Sequence, residues 1–169
     1  MRLRFKEKDE KDWVRGKMPH WEYSVKELEE TRSVKASLRE IDVSPKWSRE
    51  VCRAIIGLTI PEARRLMEDV IAMRRMIPYR RYKKNRAHHS QTKGAGGYPV
   101  KVARQMLKLL ESLEANADFK GLDPDEVVIV HAAAHKARKI RKFIPRAFGR
   151  STPYDKQLVH IEVVGEVKG

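Results

Sequence analysis

Two long stretches of this chain hold no acidic residue, and that segregation limits what can fold around them. Residues 70–110 carry eleven bases and no Asp or Glu: Arg74, Arg75, Arg80, Arg81, Lys83, Lys84, Arg86, Lys93, Lys101, Arg104 and Lys108. Residues 127–154 carry seven more, again without an acid: Lys136, Arg138, Lys139, Arg141, Lys142, Arg146 and Arg150. The two blocks hold +18 in a chain whose total is +14, so the rest, with 19 bases and 23 acids, is net −4. A surface that only needs solvation mixes its signs. Acid-free blocks repel themselves until a polyanion meets them, and each contacted phosphate releases condensed counterion. A nucleic acid is the expected partner, ahead of an anionic membrane surface.

At 169 residues the chain suits one core with appendages, not two independent cores. No apolar run approaches the roughly 18–20 residues of a bilayer-spanning helix, so a soluble protein is expected. The start, Met1-Arg2-Leu3-Arg4-Phe5, lacks the apolar stretch and cleavage site of a secretory signal, which points to the cytoplasm. The one cysteine, Cys52, sits in an apolar helical segment, where a buried and inert thiol is expected.

Residues 1–33 are charge-dense and show no sustained period, which reads as an irregular extension. Val34 to Val43 switches the parity of its apolar residues between Leu38 and Ile41, as a bulged strand would. Ser44-Pro45 opens a helix with an N-cap hydroxyl and a proline at its first position. Trp47, Val51, Ala54 and Ile55 fall on its core face, with Lys46, Arg49, Glu50 and Arg53 elsewhere and Gly57 as its stop. Thr59-Ile60-Pro61-Glu62 is a capping box, and Ala63, Leu66, Met67, Val70 and Ile71 continue the helical period behind it. That helix must end before Pro78.

From Tyr79 to Tyr98 apolar periodicity vanishes, so a basic loop without core residues is expected, with Gly94-Ala95-Gly96-Gly97 as a hinge. Pro99 opens a third helix whose stripe is Val102, Met106, Leu109, Leu110, Leu113 and Ala117. After an Asp123-Pro124-Asp125 turn, Val127–Ala134 reads as a buried strand. Val159, Ile161 and Val163 alternate with His160, Glu162 and Val164, which reads as a second strand with one face in the core and an antiparallel partner in the first. Lys136–Pro153 lies between them with few core-forming residues. This segment is expected to reach outward as a two-stranded arm ordered by its partner, with Pro145, Gly149 and Pro153 interrupting the ladder.

Each basic block mixes arginine with aromatic rings, Tyr79 and Tyr82 in one and Phe143, Phe148 and Tyr154 in the other. Guanidinium forks bind phosphate and stack on bases, and rings stack on splayed nucleotides, so RNA is favoured. Tyr79 and Tyr82 serve equally well as packing for the second helix. Phe143 and Phe148 are expected to meet RNA or another protein. His131 and His135, four apart, and His88-His89 do not make a metal site, since the segment reads as strand and one cysteine leaves no set of four ligands. The glycines at 94–97 lack the residues and setting of a phosphate loop. Without a nucleophile elbow, or a carboxylate in the 41 residues of the first block, no catalytic residue, metal, cofactor or small-molecule substrate is expected.

Taken in order, several motifs resemble one family. They are Val43-Ser44-Pro45-Lys46, Glu114-Ala115-Asn116-Ala117 with Lys120-Gly121-Leu122-Asp123, Ala134-His135-Lys136, Ile144 through Pro153, and His160-Ile161-Glu162-Val163-Val164. The sequence is similar over about residues 23–167 to the universal large-subunit ribosomal protein family called L22 in bacteria and L17 in eukaryotes, in its archaeal form. The resemblance implies an α+β fold in which a three-stranded antiparallel sheet packs on three helices and a long basic β-hairpin protrudes. It implies a single domain over 23–169, with a basic loop at 75–98, an arm at 131–158, and an N-terminal extension over 1–22 in which Met18 is a second candidate start. The implied role is a structural constituent of the large subunit, bridging ribosomal RNA, aiding assembly and catalysing nothing. The implied tip, Arg141, Lys142, Phe143, Ile144, Pro145 and Arg146, lines the nascent-peptide exit tunnel. Phe148 stands where bacterial members carry Arg, so the same tip contact is not implied. The RNA-binding set is then Arg74, Arg75, Arg80, Arg81, Lys83, Lys84, Arg86, Lys93, Lys136, Arg138, Lys139, Arg141, Lys142, Arg146 and Arg150. Expected partners are large-subunit RNA, neighbouring ribosomal proteins and the nascent peptide, with no membrane. The competing readings are a free-standing RNA-binding regulator or RNA chaperone and, third, a nuclease using His88 and His89.

Overall fold

In the computed structural model, residues 22–25, 28–29 and 31–167 are described. The extension expected over residues 1–22 therefore lies, but for Glu22, outside the described residues. Ser33–Ile41 forms β1, Pro45–Ile55 α1 and Ile60–Ile71 α2. Three short strands follow, β2 (Ile77–Pro78), β3 (His88–His89) and β4 (Gly94–Gly97), and then the long α3 (Val100–Phe119). The chain ends in β5 (Val127–Ile140), β6 (Phe143–Pro145), β7 (Ser151–Pro153) and β8 (Lys156–Val167). The fold is the expected α+β, with three helices on a sheet of order β1-β8-β5, antiparallel throughout.

Local chemistry places most of these boundaries. Thr59 and Glu62 complete the capping box, and Glu62 receives the Thr59 N–H at 3.0 Å. The Ser44 hydroxyl makes no cap for α1; instead the Ser44 carbonyl accepts from the Ser48 N–H and hydroxyl at 2.9 and 2.8 Å. Gly57 follows α1 at φ +88°, a left-handed value that costs glycine little, and its N–H reaches the Ile129 carbonyl at 2.8 Å. The register of β1 on β8 shifts between Leu38 and Ile41, where the switch of apolar parity puts a bulge.

One face of the sheet meets the helices. Ile161, Val163 and Val159 pack there with Val51, Ile55, Met67, Met106, Leu109, Leu110 and Leu113, all fully buried. The segment expected as a coreless loop is different. Ile77 and Tyr79 are buried in this same core, β2-β4-β3 forms a second small sheet, and the glycine run expected as a hinge is its middle strand. Periodicity could not announce strands two to four residues long. A Cβ on Gly96 would stand 2.7 Å from Thr92 Cγ2 and 3.2 Å from the Ile77 carbonyl, so small residues here permit close pairing.

The ribbon between the two long strands is more regular than its composition implies. β5 pairs with β8 out to Ile140–Lys156, and β6 pairs with β7 from Phe143–Pro153 to Pro145–Ser151. Pro145 and Pro153 each stand at an end of this short ladder, Pro145 where it gives way to the tip and Pro153 where it stops short of Lys156, as expected of residues that interrupt it. In a two-stranded ribbon both strands are edges, and a residue without an N–H can face solvent. The break between the two ladders follows Pro153, where the Tyr154 N–H bridges to the Lys142 carbonyl at 2.6 Å, and the β5–β8 register also shifts between Lys136 and Lys139. Among the described residues, no helix is long and apolar enough to cross a membrane.

Candidate nucleic-acid interface

Two elements carry the basic residues, and each fixes its backbone differently. In the first block, Glu50 of α1 is 2% exposed, although the helical pattern puts it on the polar side. Its carboxylate accepts the backbone N–H groups of Arg80 and Arg81, each at 2.9 Å, and of Tyr82 at 3.3 Å. Burial pushes this carboxyl up, but the three N–H donors, with Arg49 nearby, outweigh it and hold the group below the usual carboxylate range. One buried anion thereby stiffens the backbone from which Arg80 and Arg81 project into solvent.

Arg74, Arg75, Arg80 and Lys93 line one open cleft of about 760 Å³, floored by Ala54, Leu66 and Ile77. Arg74 is paired with Asp69 at 2.9 Å. Lys93 holds φ +48° at the end of the short 3₁₀ turn Ser90–Thr92, just before β4. Arg81, Lys83, Lys84 and Arg86 surround a second cleft together with Lys46 and Trp47 of α1, two residues the charge pattern of the blocks did not single out. Tyr79 takes the packing role, 3% exposed and stacked on Trp47 with ring centres 6.4 Å apart and planes within 6°. Tyr82 remains at the surface of the cleft.

The second block runs along the β5–β8 ribbon and its β6–β7 continuation. Two of its cations are paired, Arg138 with Glu40 and Lys139 with Asp155, both at 3.1 Å. Among the described residues no ion pair engages Lys136, Arg141, Lys142, Arg146 or Arg150, and all five are exposed. The end of the ribbon also exposes rings: Phe143 is 64% and Phe148 95% exposed, and Phe148 and Gly149 hold left-handed backbone at φ +59° and +65°. Ile144 alone among the six tip residues is half-buried.

The histidines of β5 are satisfied, by a carboxylate whose alternation along β8 suggests an exposed face. Glu162, in the central strand β8, is fully buried on the side of the sheet opposite the helical core. Its Oε1 lies 3.2 Å from His131 Nε2 and 3.1 Å from His135 Nε2 and accepts from the Ser24 hydroxyl, while its Oε2 accepts the Ser24 backbone N–H at 3.3 Å. Burial raises this carboxyl, and the Ser24, His135 and His131 contacts more than reverse that, leaving it below the ordinary range. A lone carboxylate inside the apolar run Ile161–Val164 was the available sign. Burial pushes the Cys52 thiol up to about 12, so it stays protonated and inert, as expected. His88 and His89 form β3, paired to Ala95 and Gly94.

Comparison with known proteins agrees with this arrangement. The family model described as ribosomal protein L22p/L17e matches residues 36–166. Among curated relatives, the large ribosomal subunit protein uL22 of Thermofilum pendens is 54% identical over 147 residues, covering 87% of this chain and 97% of the relative. Those of Methanopyrus kandleri and Archaeoglobus fulgidus are 46% and 49% identical over 155 and 148 residues, covering 89% and 86% of this chain and 98% and 96% of the relatives. With the family model spanning sheet, helices and ribbon alike, the chain belongs to the ribosomal protein L22p/L17e family.

Proposed function

We propose that this chain is a structural constituent of the large ribosomal subunit, bound in the cytoplasm to ribosomal RNA and neighbouring ribosomal proteins, and that it bridges RNA segments without turning over a substrate. The observation that carries this reading is the placement of exposed cations, most of them in no ion pair among the described residues, on two elements held by the same core. RNA segments brought to both elements would repel one another, and the cations between them neutralise that repulsion while releasing counterions. The core supplies a fixed distance between the two elements. In this reading Arg74, Arg75, Arg80, Arg81, Lys83, Lys84, Arg86 and Lys93 hold one RNA segment, and Lys136, Arg138, Lys139, Arg141, Lys142, Arg146 and Arg150 hold another.

The ribbon end, Arg141 through Arg146, lines the tunnel through which the nascent peptide leaves. Its support is chemical: an acid-free end with Phe143 open to solvent cannot be finished by this chain alone, and RNA walls would surround it. Cosedimentation tests the assignment. The tagged chain should travel with large subunits through a high-salt gradient; recovery only in ribosome-free fractions would favour a regulator or chaperone and overturn it.

A further inference from the structure

The connection between β2 and β3 and the first turn of α1 enclose a cleft of about 340 Å³ lined by Lys46, Trp47, Arg81, Tyr82, Lys84 and Arg86 among others, with no acid among its walls. Its aromatic floor is anchored, because Trp47 lies parallel to the buried ring of Tyr79. The Arg86 guanidinium carbon sits 4.6 Å from the centre of the Trp47 ring and 5.9 Å from that of Tyr79. Lys46 Nζ and the Arg81 guanidinium carbon lie 5.7 and 6.0 Å from the centre of the Tyr82 ring. The backbone under Arg81 and Tyr82 is the part pinned by Glu50.

Cations gathered over ring faces are held by the ring quadrupoles, an attraction worth only about 0.5–1 kcal/mol each at exposed sites. A ligand that brings both negative charge and a π-face competes well for this site. Its charge takes the cations, and its face stacks on a ring or on a guanidinium plane. Duplex RNA offers the charge but keeps its bases stacked inside. An acidic peptide offers charge and no π-face. The volume lies at the low end of the roughly 300–1,000 Å³ typical of single small ligands, too small for a helix to enter.

We infer that this cleft receives one unstacked nucleotide of RNA, its phosphate held by Arg81, Lys84 and Lys46 and its base stacked against Tyr82 or the Arg86–Trp47 pair. The inference rests on the reading of this chain as an RNA-binding ribosomal protein. It adds that the first basic block selects a looped-out, single-stranded feature, whereas charge alone would accept any backbone.

The test compares the full-length protein with Tyr82→Leu and Tyr82→Phe variants, which leave every charge in place. Affinities are measured for a single-stranded uridine decamer and for an RNA duplex of ten base pairs. Tyr82→Leu should weaken decamer binding about tenfold, the usual scale for a lost base stack, while duplex binding and the salt slope stay unchanged. Tyr82→Phe should bind the decamer as the parent does, which separates loss of the ring from misfolding. Equal weakening for both RNAs, or no weakening, overturns the nucleotide site while leaving RNA binding intact. Displacement of the decamer from the parent by a glutamate decamer at comparable concentration would assign the cleft to acidic peptide instead and also overturns it. Failure of the parent to bind either RNA overturns the underlying reading.

Discussion

Glu50 accepts the backbone N–H of Arg81 at 2.9 Å, so a buried anion on α1 fixes the course of a basic segment thirty-one residues away in sequence. The contact puts a negative charge where the block itself has none, on the inner side of the backbone, and leaves the outer side entirely cationic. Glu50→Gln keeps the shape and removes the charge, and its amide N–H₂ faces N–H donors it cannot satisfy. We expect a loss of about 1–3 kcal/mol in stability, the cost of leaving buried donors unpaired. Faster amide hydrogen exchange should appear at Arg80, Arg81 and Tyr82 before the core opens. Unchanged protection at those three amides would show that the carboxylate does not hold the segment.

Acid should unfold the protein through this group and Glu162 together. Both carboxyls lie below their ordinary range in the folded chain. Their contribution is complete above the unfolded value of ~4.3 and is lost as pH falls through the lower folded values, since the unfolded chain then binds more protons. The urea midpoint should therefore be flat near neutrality and fall steeply below about pH 4. In a Glu50→Gln, Glu162→Gln double variant that acid slope should shrink. A slope identical to the parent's would place the titrating groups elsewhere.

The two carboxylates also mark what the sequence could and could not announce. The three helices were legible because each has a local signature: Ser44-Pro45, the Thr59–Glu62 box, and the apolar stripe from Val102 to Ala117. The sheet was legible because β5 and β8 are β-branched and apolar where they are buried. Glu50 was not, since its position on α1 looks polar and becomes interior only when residues 77–82 fold across it. The same holds for Tyr79, whose burial depends on Trp47, and for β2-β4-β3, whose strands are too short to show a period. Charge segregation picked out the cations proposed to meet RNA, while Lys46 and Trp47 come beside Arg81, Lys84 and Arg86 only through tertiary placement.

Charge pairing divides the ribbon into cations already engaged and cations left open. Arg138 and Lys139 each hold an acid of this chain, whereas Arg141, Lys142, Arg146 and Arg150 form no ion pair among the described residues. Replacing the latter four with Ala should leave the melting temperature nearly unchanged, because all four are exposed. The slope of log affinity for ribosomal RNA against log salt should fall by up to about 3 to 3.6, or ~0.7–0.9 for each phosphate no longer neutralised. The Arg138→Ala, Lys139→Ala pair should move that slope less per charge removed, since each must first leave its carboxylate. Equal effects per charge would mean the intramolecular pairs dissolve on binding without cost.

At the end of the sheet away from the ribbon tip, Gly165 of β8 pairs with Val34 of β1 and Ile129 of β5. A Cβ at Gly165 would stand 2.4 Å from Val127 Cγ1 and 3.8 Å from Leu113 Cδ2, and both neighbours are fully buried. Valine is stiff about χ1 and Val127 has no free volume to turn into, so the backbone of β8 or β5 would have to move. Gly165→Ala should therefore destabilise by about 1–3 kcal/mol, as overpacking does. Val127→Ala should destabilise separately by leaving a void. Combined, the two changes should cost less than their sum, because the new methyl occupies the space the valine vacated. A double-mutant cycle on urea midpoints measures this directly. Additive losses would mean that the strain at Gly165 is relieved somewhere other than against Val127, and that the register at this end of the sheet is set without that pair.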